Sequence, residues 1–219
     1  MSGQLHGKRY AIVATDGFEE AELLVPQKAL QEAGATVDVI APREGNIQGM
    51  RYHRKGKTVA IDRTIDRASA ADYAGLVLPG GVANPDALRT DGRVVAFVHE
   101  FCIAMKPVAA ICHGPWTLIE AAAVNGRTVT SWPSLKTDLE NAGAHWIDQE
   151  VVVDNGLVTS RKPDDLPAFC RRMIAEFSKG IQQHDQQEQL CTPANSEESQ
   201  GTCRGSRRQD EARKASREE

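Results

Sequence analysis

Short apolar runs alternate with helical segments over the first 180 residues, and this alternation constrains the fold more than any other feature. Runs such as residues 10–14 and 75–78 are apolar at successive positions, which is typical of strands buried on both faces. Residues 94–105 instead show the spacing of an amphipathic helix. Strands that alternate with helices predict an α/β fold, with a mostly parallel sheet covered by helices on both faces.

The pattern also predicts where a ligand would bind. The predicted strands are residues 10–14, 36–40, 75–78, 107–111, 150–154 and 157–159. The predicted helices are residues 20–33, 94–105, 115–123, 134–142 and 164–179. Pro26 lies within the first helical stretch, so the regular helix is expected to begin just before it. Ligands of such sheets bind beyond the carboxyl ends of the strands, which here are residues 15–22, 79–86 and 112–116.

Composition divides the chain near Gly180. Beyond this residue glutamine, serine, glutamate and arginine dominate, and apolar residues nearly vanish. Such a segment cannot bury enough surface to offset its ordering entropy. We therefore predict one folded domain over residues 1–180 and a disordered polar tail over residues 181–219.

Several classes of function are disfavoured by composition. The net charge of −4 argues against nucleic-acid binding, and no apolar run approaches the roughly 20 residues needed to span a bilayer. The first residues lack the apolar core of a secretion signal, so we expect a cytoplasmic protein. The five cysteines are irregularly spaced without a CxxC pair, so neither disulfides nor a metal site is expected.

The best candidate for chemistry is Cys112, which follows the predicted strand 107–111 and precedes a helix that begins near Pro115. This is the layout of a nucleophile elbow, in which Gly114 lets the backbone bend sharply. The N–H groups at the start of the helix favour a thiolate and predict a lowered pKa for Cys112. A buried, inert cysteine at a strand end is the alternative interpretation.

Other groups at the same strand ends can assist this cysteine. His113 can act as a general base, although neighbours in sequence often point apart and a structural role is also open. One of Glu19, Glu20 and Glu22 can reach the thiol from the first strand end, while the plain alternative is a helix N-terminus enriched in acids.

The strand end at residues 79–86 adds backbone donors and one further acid. The N–H groups of Gly80 and Gly81 can face an oxyanion, and Asp86 can orient His113 or simply cap a helix. The other histidines, His53 among them, have no comparable context and are interpreted as surface or structural residues.

Taken together, these segments resemble the PfpI-type intracellular peptidase family, within the class I glutamine amidotransferase-like superfamily that includes the Parkinsonism-associated deglycase. The matching segments are residues 16–22, 78–86, 110–115, 130–134 and 159–165. The resemblance runs from about residue 8 to residue 179. It implies a flavodoxin-like three-layer sandwich, assembled as a homodimer or a hexamer, that needs no cofactor.

The resemblance also assigns roles to individual residues. It implies that Cys112 is the nucleophile with His113 as its partner, and that Glu22 is the acid against the thiol. Asp86 matches the third acid of a triad, which PfpI-type members supply from a neighbouring subunit. Backbone N–H groups of Gly81 and His113 would form the oxyanion hole, beside Gly80 and Gly114.

One position departs from the family pattern. Trp132 stands where some relatives place a tyrosine near the pocket. An indole donates a hydrogen bond but accepts none, so a role that depends on the tyrosine hydroxyl is in doubt.

Three functions remain open at this point. The first is a cysteine-dependent hydrolase or lyase for small carbonyl compounds or peptides, described in this family as peptidase, deglycase or cofactor-free glyoxalase. The second is a redox-sensing or chaperone-like stress protein with an oxidisable Cys112 and little turnover. The third is an assembly protein that keeps only the fold.

Overall fold

The computed structural model describes residues 4–180, in which a seven-stranded sheet lies between two layers of helices. The strands are β1 (Arg9–Val13), β2 (Phe18–Glu19), β3 (Thr36–Ala41), β4 (Asn46–Arg51), β5 (Arg54–Ala60), β6 (Arg63–Thr64), β7 (Gly75–Leu78), β8 (Val108–Ile111), β9 (Thr128–Val129), β10 (His145–Trp146), β11 (Val151–Asp154) and β12 (Leu157–Ser160). The helices are α1 (Glu20–Glu32), α2 (Ala83–Arg89), α3 (Gly92–Ile103), α4 (Pro115–Glu120), α5 (Lys136–Asn141) and α6 (Leu166–Lys179). The predicted tail over residues 181–219 lies outside the described residues.

The central sheet has the strand order β11-β12-β8-β7-β1-β3-β6. Its neighbouring strands run parallel except for β11 and β12, which form an antiparallel pair. The prediction of a mostly parallel α/β sandwich is therefore confirmed. Because β1, β7 and β8 are parallel neighbours, their carboxyl ends meet at one edge of the sheet.

Both faces of the sheet are buried, which explains the uninterrupted apolar runs in the sequence. Along β1, Tyr10 and Ile12 pack toward α1 and α6, while Ala11 and Val13 pack toward α3 and α4. The rings of Tyr10 and Phe177 stack with centroids 4.9 Å apart. Each fully buried side chain of this size contributes about 1.5–3 kcal/mol to stability.

Helix α1 differs from its prediction at Pro26. The helix begins at Glu20, well before the proline, and continues through it. A proline inside a helix leaves the carbonyl four residues earlier without its partner, at a cost of about 3 kcal/mol. Leu23 and Leu30 are fully buried on either side of Pro26, and their burial outweighs that cost.

A second, smaller sheet was not predicted. Strands β4 and β5 form an antiparallel hairpin, and β4 also pairs with β2 immediately before α1. Five of the seven residues of β5 are exposed and three are charged, so the strand shows little of the apolar alternation that predicts strands. Within residues 4–180, no helix is long and apolar enough to cross a membrane.

Candidate active site

Cys112 occupies a sharp turn directly after β8. Its φ of 62° lies in the left-handed region, which a side chain rarely adopts and which costs about 1–3 kcal/mol. The N–H of Gly114 donates to the carbonyl of Ile111 at 2.9 Å, and α4 begins at Pro115. The turn projects the side chain of Cys112 beyond the end of the sheet, as expected of a nucleophile elbow.

The three glutamates after β1 have three different contacts. The Oε2 atom of Glu19 accepts from the N–H of Tyr52 at 2.9 Å. The carboxylate of Glu20 pairs with Arg51 and accepts from the N–H of Lys57. Only Glu22 reaches the thiol, which decides a question that the sequence left open.

Glu22 is fully buried, and its Oε2 atom accepts from the N–H of Gly80 at 2.9 Å. Burial raises the pKa of this carboxyl to about 8, a direction that the nearby charge of Glu19 reinforces. Below that pH, Glu22 is mostly protonated and can donate a hydrogen bond. Its Oε1 atom has no hydrogen-bond partner among the described residues.

The residue Cys112 is only 6% exposed, and its thiol lies among donors and acceptors. Its Sγ atom is 3.2 Å from Nδ1 of His113, and the backbone N–H groups of Gly81 and His113 point at it. Burial and the charge of an ionised Glu22 raise the pKa of Cys112 above its ordinary value, and these two effects exceed the opposing effect of the N–H groups. The expectation of a lowered pKa is therefore wrong for this site, because burial outweighs the helix N-terminus.

His113 faces the thiol with one ring nitrogen and Ser134 with the other. Burial lowers the pKa of His113, which favours a neutral imidazole able to accept a proton. Its Nε2 atom lies 3.4 Å from Oγ of Ser134, and its ring stacks on that of Trp132 at 5.9 Å between centroids. The expected pairing of His113 with Cys112 is thus geometrically possible, and Ser134 is a contact that sequence reasoning missed.

The two glycines after β7 allow close approach to the thiol. A Cβ atom at Gly80 would lie 2.6 Å from Oε2 of Glu22 and 2.7 Å from Cβ of Cys112, so no larger residue fits. Gly81 has a φ of 78°, in the region that favours glycine. Of the two, Gly81 brings its backbone N–H to the sulfur, as the predicted oxyanion hole requires. The N–H of Gly80 instead donates to Glu22, so the expectation that it faces an oxyanion is wrong.

A cavity of about 470 Å³ opens above the thiol. Its floor contains Glu22, Cys112 and His113. Its walls are largely apolar and contain Met50, Tyr52, His53, Val82, Trp132 and Pro163. Among residues 4–180, no group of three or more His, Cys, Asp or Glu side chains is arranged to hold a metal ion.

The comparison with known proteins identifies the family. The profile of the DJ-1/PfpI family matches residues 8–176. This chain belongs to the DJ-1/PfpI family. General stress protein 18 of Bacillus subtilis is 45% identical over 174 residues, which cover 79% of this chain and 99% of that protein.

Two further relatives show the range of the DJ-1/PfpI family. Protein/nucleic acid deglycase 2 of Escherichia coli is 45% identical over 170 residues, which cover 76% of this chain and 96% of the deglycase. A two-domain protein of Anabaena variabilis, with DJ-1/ThiJ/PfpI-like and ferritin-like domains, matches in structure with a TM-score of 0.73 and 35% identity. The match covers 77% of this chain and 47% of that larger protein.

Two other predicted site residues of this DJ-1/PfpI chain have different surroundings. Asp86 lies exposed in the first turn of α2, and no hydrogen bond joins it to His113 within residues 4–180. Its neighbour Asn84 is fully buried and holds the strand ends together. Its side chain accepts from the N–H of Thr15 and donates to the carbonyls of residues 79 and 80. Trp132 contributes its ring to the cavity, and its backbone N–H donates to the carbonyl of Cys112 at 2.9 Å.

Proposed function

We propose that this protein is a Cys112-dependent enzyme for small carbonyl compounds, with α-oxoaldehydes preferred over peptides. The observation that carries the proposal is the convergence of a thiol, an imidazole and a buried carboxyl on the floor of one cavity. The deglycase among the relatives supports an activity on carbonyl adducts. The enclosed position of Cys112, a residue that is 6% exposed, favours small molecules over the backbone of a folded protein.

The resting pair is a thiol beside a neutral imidazole, since the pKa of Cys112 is raised and that of His113 is lowered. As a carbonyl compound approaches, Nδ1 of His113 removes the thiol proton and sulfur adds to the carbonyl carbon. The π electrons of the carbonyl move to its oxygen, where the N–H groups of Gly81 and His113 stabilise the charge. Return of the proton from His113 to that oxygen yields a hemithioacetal.

For an α-oxoaldehyde the reaction can then finish without a redox partner. The C–H proton of the hemithioacetal carbon passes to a cavity base. We assign this role to Glu22, which contacts the thiol and whose ionised fraction grows as the pH approaches its pKa of about 8. Reprotonation at the adjacent carbon gives the thioester of a 2-hydroxy acid. Water hydrolyses this thioester, so the net change is R–CO–CHO plus H₂O to R–CH(OH)–COOH, with the thiol restored.

The test is conversion of methylglyoxal to lactate by the purified full chain. Wild type should turn methylglyoxal over, Cys112→Ser should lose all but background activity, and Cys102→Ser, outside the cavity, should match wild type. Equal activity in wild type and Cys112→Ser would refute the proposal. Turnover of peptides but not of methylglyoxal, again dependent on Cys112, would favour the peptidase function instead.

The redox alternative is less well supported by the site. The thiolate is the species that peroxide oxidises, and a buried thiol with a raised pKa supplies little of it. The name of the Bacillus stress protein is compatible with either function. Selective oxidation of Cys112 at low peroxide, without turnover of any carbonyl compound, would favour the redox function.

A further inference from the structure

The hairpin of β4 and β5 extends over the cavity, and its tip is held there by two adjacent glutamates. Glu20, which is buried against the hairpin, binds the side chain of Arg51 and the N–H of Lys57 on its two strands. Glu19 binds the N–H of Tyr52 at the tip. The hairpin is therefore fixed relative to the start of α1, the helix that also carries Glu22.

The residue that these contacts fix has an unusual conformation. Tyr52 has a φ of 54°, in the left-handed region, and is 68% exposed. A bulky residue adopts that region only where its surroundings hold it, and the hydrogen bond to Glu19 supplies such a contact. The result is a tyrosine ring kept at the cavity rim without burial in the core.

Exposed apolar side chains line part of this cavity. Among residues 4–180 the large apolar side chains that are exposed are Val25, Tyr52, Val82 and Ile103. Two of the four, Tyr52 and Val82, line the cavity above the thiol. With the ring of Trp132, they form an apolar wall around a space much larger than a three-carbon oxoaldehyde needs.

We propose that Tyr52 is a specificity-determining residue, and that the site prefers carbonyl compounds with an aromatic or branched apolar substituent over methylglyoxal. The carbonyl group would lie at Cys112, and the substituent would lie between Tyr52 and Val82. Glu19 acts through Tyr52 as a positioning residue. This inference rests on the proposed function for the reaction, and its recognition step can be tested without turnover.

The test compares alkylation of Cys112 by iodoacetamide and by its N-benzyl derivative, followed by intact-protein mass. The rate constant for the N-benzyl derivative is divided by that for iodoacetamide, and this ratio is normalised to the same ratio for free cysteine. In wild type the normalised ratio should be about ten, because the benzyl ring buries apolar surface in the cavity. Tyr52→Ala should reduce this ratio by most of that factor, and Tyr52→Phe should preserve it. Ile103→Ala, which changes an apolar residue as exposed as Tyr52 that does not line the cavity, is the matched control and should leave the ratio unchanged.

Turnover of phenylglyoxal and methylglyoxal separates this inference from the proposed function. We expect Tyr52→Ala to lower kcat/KM for phenylglyoxal about tenfold and to leave that for methylglyoxal within about twofold. If turnover depends on Cys112 but the preference for phenylglyoxal over methylglyoxal is the same in Tyr52→Ala as in wild type, the inference is overturned and the proposed function stands. If neither compound is turned over but the alkylation ratio still depends on Tyr52, the proposed reaction is refuted and the recognition of apolar substituents by the cavity wall is supported.

A competing role for Tyr52 has a distinct outcome. If the ring of Tyr52 instead packs against a second copy of the chain, Tyr52→Ala would lower the mass of the assembly in solution. The alkylation ratio and the preference for phenylglyoxal over methylglyoxal would then stay unchanged. That result would overturn the inference.

Discussion

The Sγ atom of Cys112 lies 3.2 Å from Nδ1 of His113, although these two residues are adjacent in sequence. Successive side chains in an extended chain point to opposite sides, so this contact requires a special backbone conformation. The φ of 62° at Cys112 supplies it by turning the chain at the end of β8. The strain at one residue thus creates the nucleophile and base pair on which the proposed chemistry depends.

Alkylation of Cys112 by iodoacetamide should show a midpoint above that of free cysteine, about 8.5. Burial and the charge of Glu22 raise the pKa of the thiol, so the thiolate forms only at high pH. In Glu22→Gln the second cause is removed, and the midpoint should fall relative to wild type. Rate–pH profiles of both proteins, with Cys112→Ser used to subtract the other thiols, provide the measurement. A wild-type midpoint below that of free cysteine would contradict this account.

Gly80→Ala should abolish most activity, because the added Cβ atom would lie 2.6 Å from Oε2 of Glu22 and 2.7 Å from Cβ of Cys112. Displacement of either group should lower kcat/KM about 100-fold or more, and overpacking should cost about 1–3 kcal/mol in the free energy of unfolding. Gly92→Ala is the control, since a Cβ atom there meets no atom within 4 Å at the start of α3. It should keep full activity and stabilise the protein by up to about 1 kcal/mol. Equal activity in the two variants would show that close approach at Gly80 is unimportant.

The central sheet was predictable because burial on both faces leaves a local signal. Strand β7 was predicted at its observed bounds, Gly75–Leu78, since each of its residues is buried. The contacts that complete the site leave no such signal. The tip of the β4–β5 hairpin reaches the cavity from a charged, exposed segment, so His53 was interpreted as a surface residue although it also lines the cavity.

Long-range contacts also decided which carboxyl meets the thiol. Glu19, Glu20 and Glu22 lie after β1 within a span of four positions, and the sequence alone allows any of them to reach the nucleophile elbow. The choice depends on where α1 begins and on the hairpin, whose backbone and side chains engage the first two. The hairpin was not predicted, and the regular part of α1 was expected to begin just before Pro26 instead of at Glu20, so the choice could not be made.

The stability of the protein should depend on pH through Glu22. The pKa of this carboxyl rises from 4.5 to about 8 on folding, so the folded state favours its protonated form. Its contribution is fully present below pH 4.5 and is lost as the pH rises to about 8, by an amount on the order of several kcal/mol. Glu22→Gln cannot ionise, so its free energy of unfolding relative to wild type should increase steadily between pH 5 and 8. Urea unfolding at four pH values measures the difference, and a difference independent of pH would contradict the assignment.

We predict that Asp86 acts in catalysis from a neighbouring subunit. It is exposed on α2 and makes no hydrogen bond to His113 within the described part of the chain, whereas the family resemblance gives it the third place in a triad. We therefore expect Asp86→Ala to be inactive alone and to complement Cys112→Ser when the two are unfolded and reassembled together. Random pairing in a twofold assembly places one intact site in each mixed dimer, which restores about a quarter of wild-type activity. Asp164→Ala, which removes an exposed acid distant in sequence from α2, is the control and should be fully active alone. If Asp86→Ala is active alone, or if the reassembled mixture is as inactive as its two components, Asp86 is not part of a site shared between subunits.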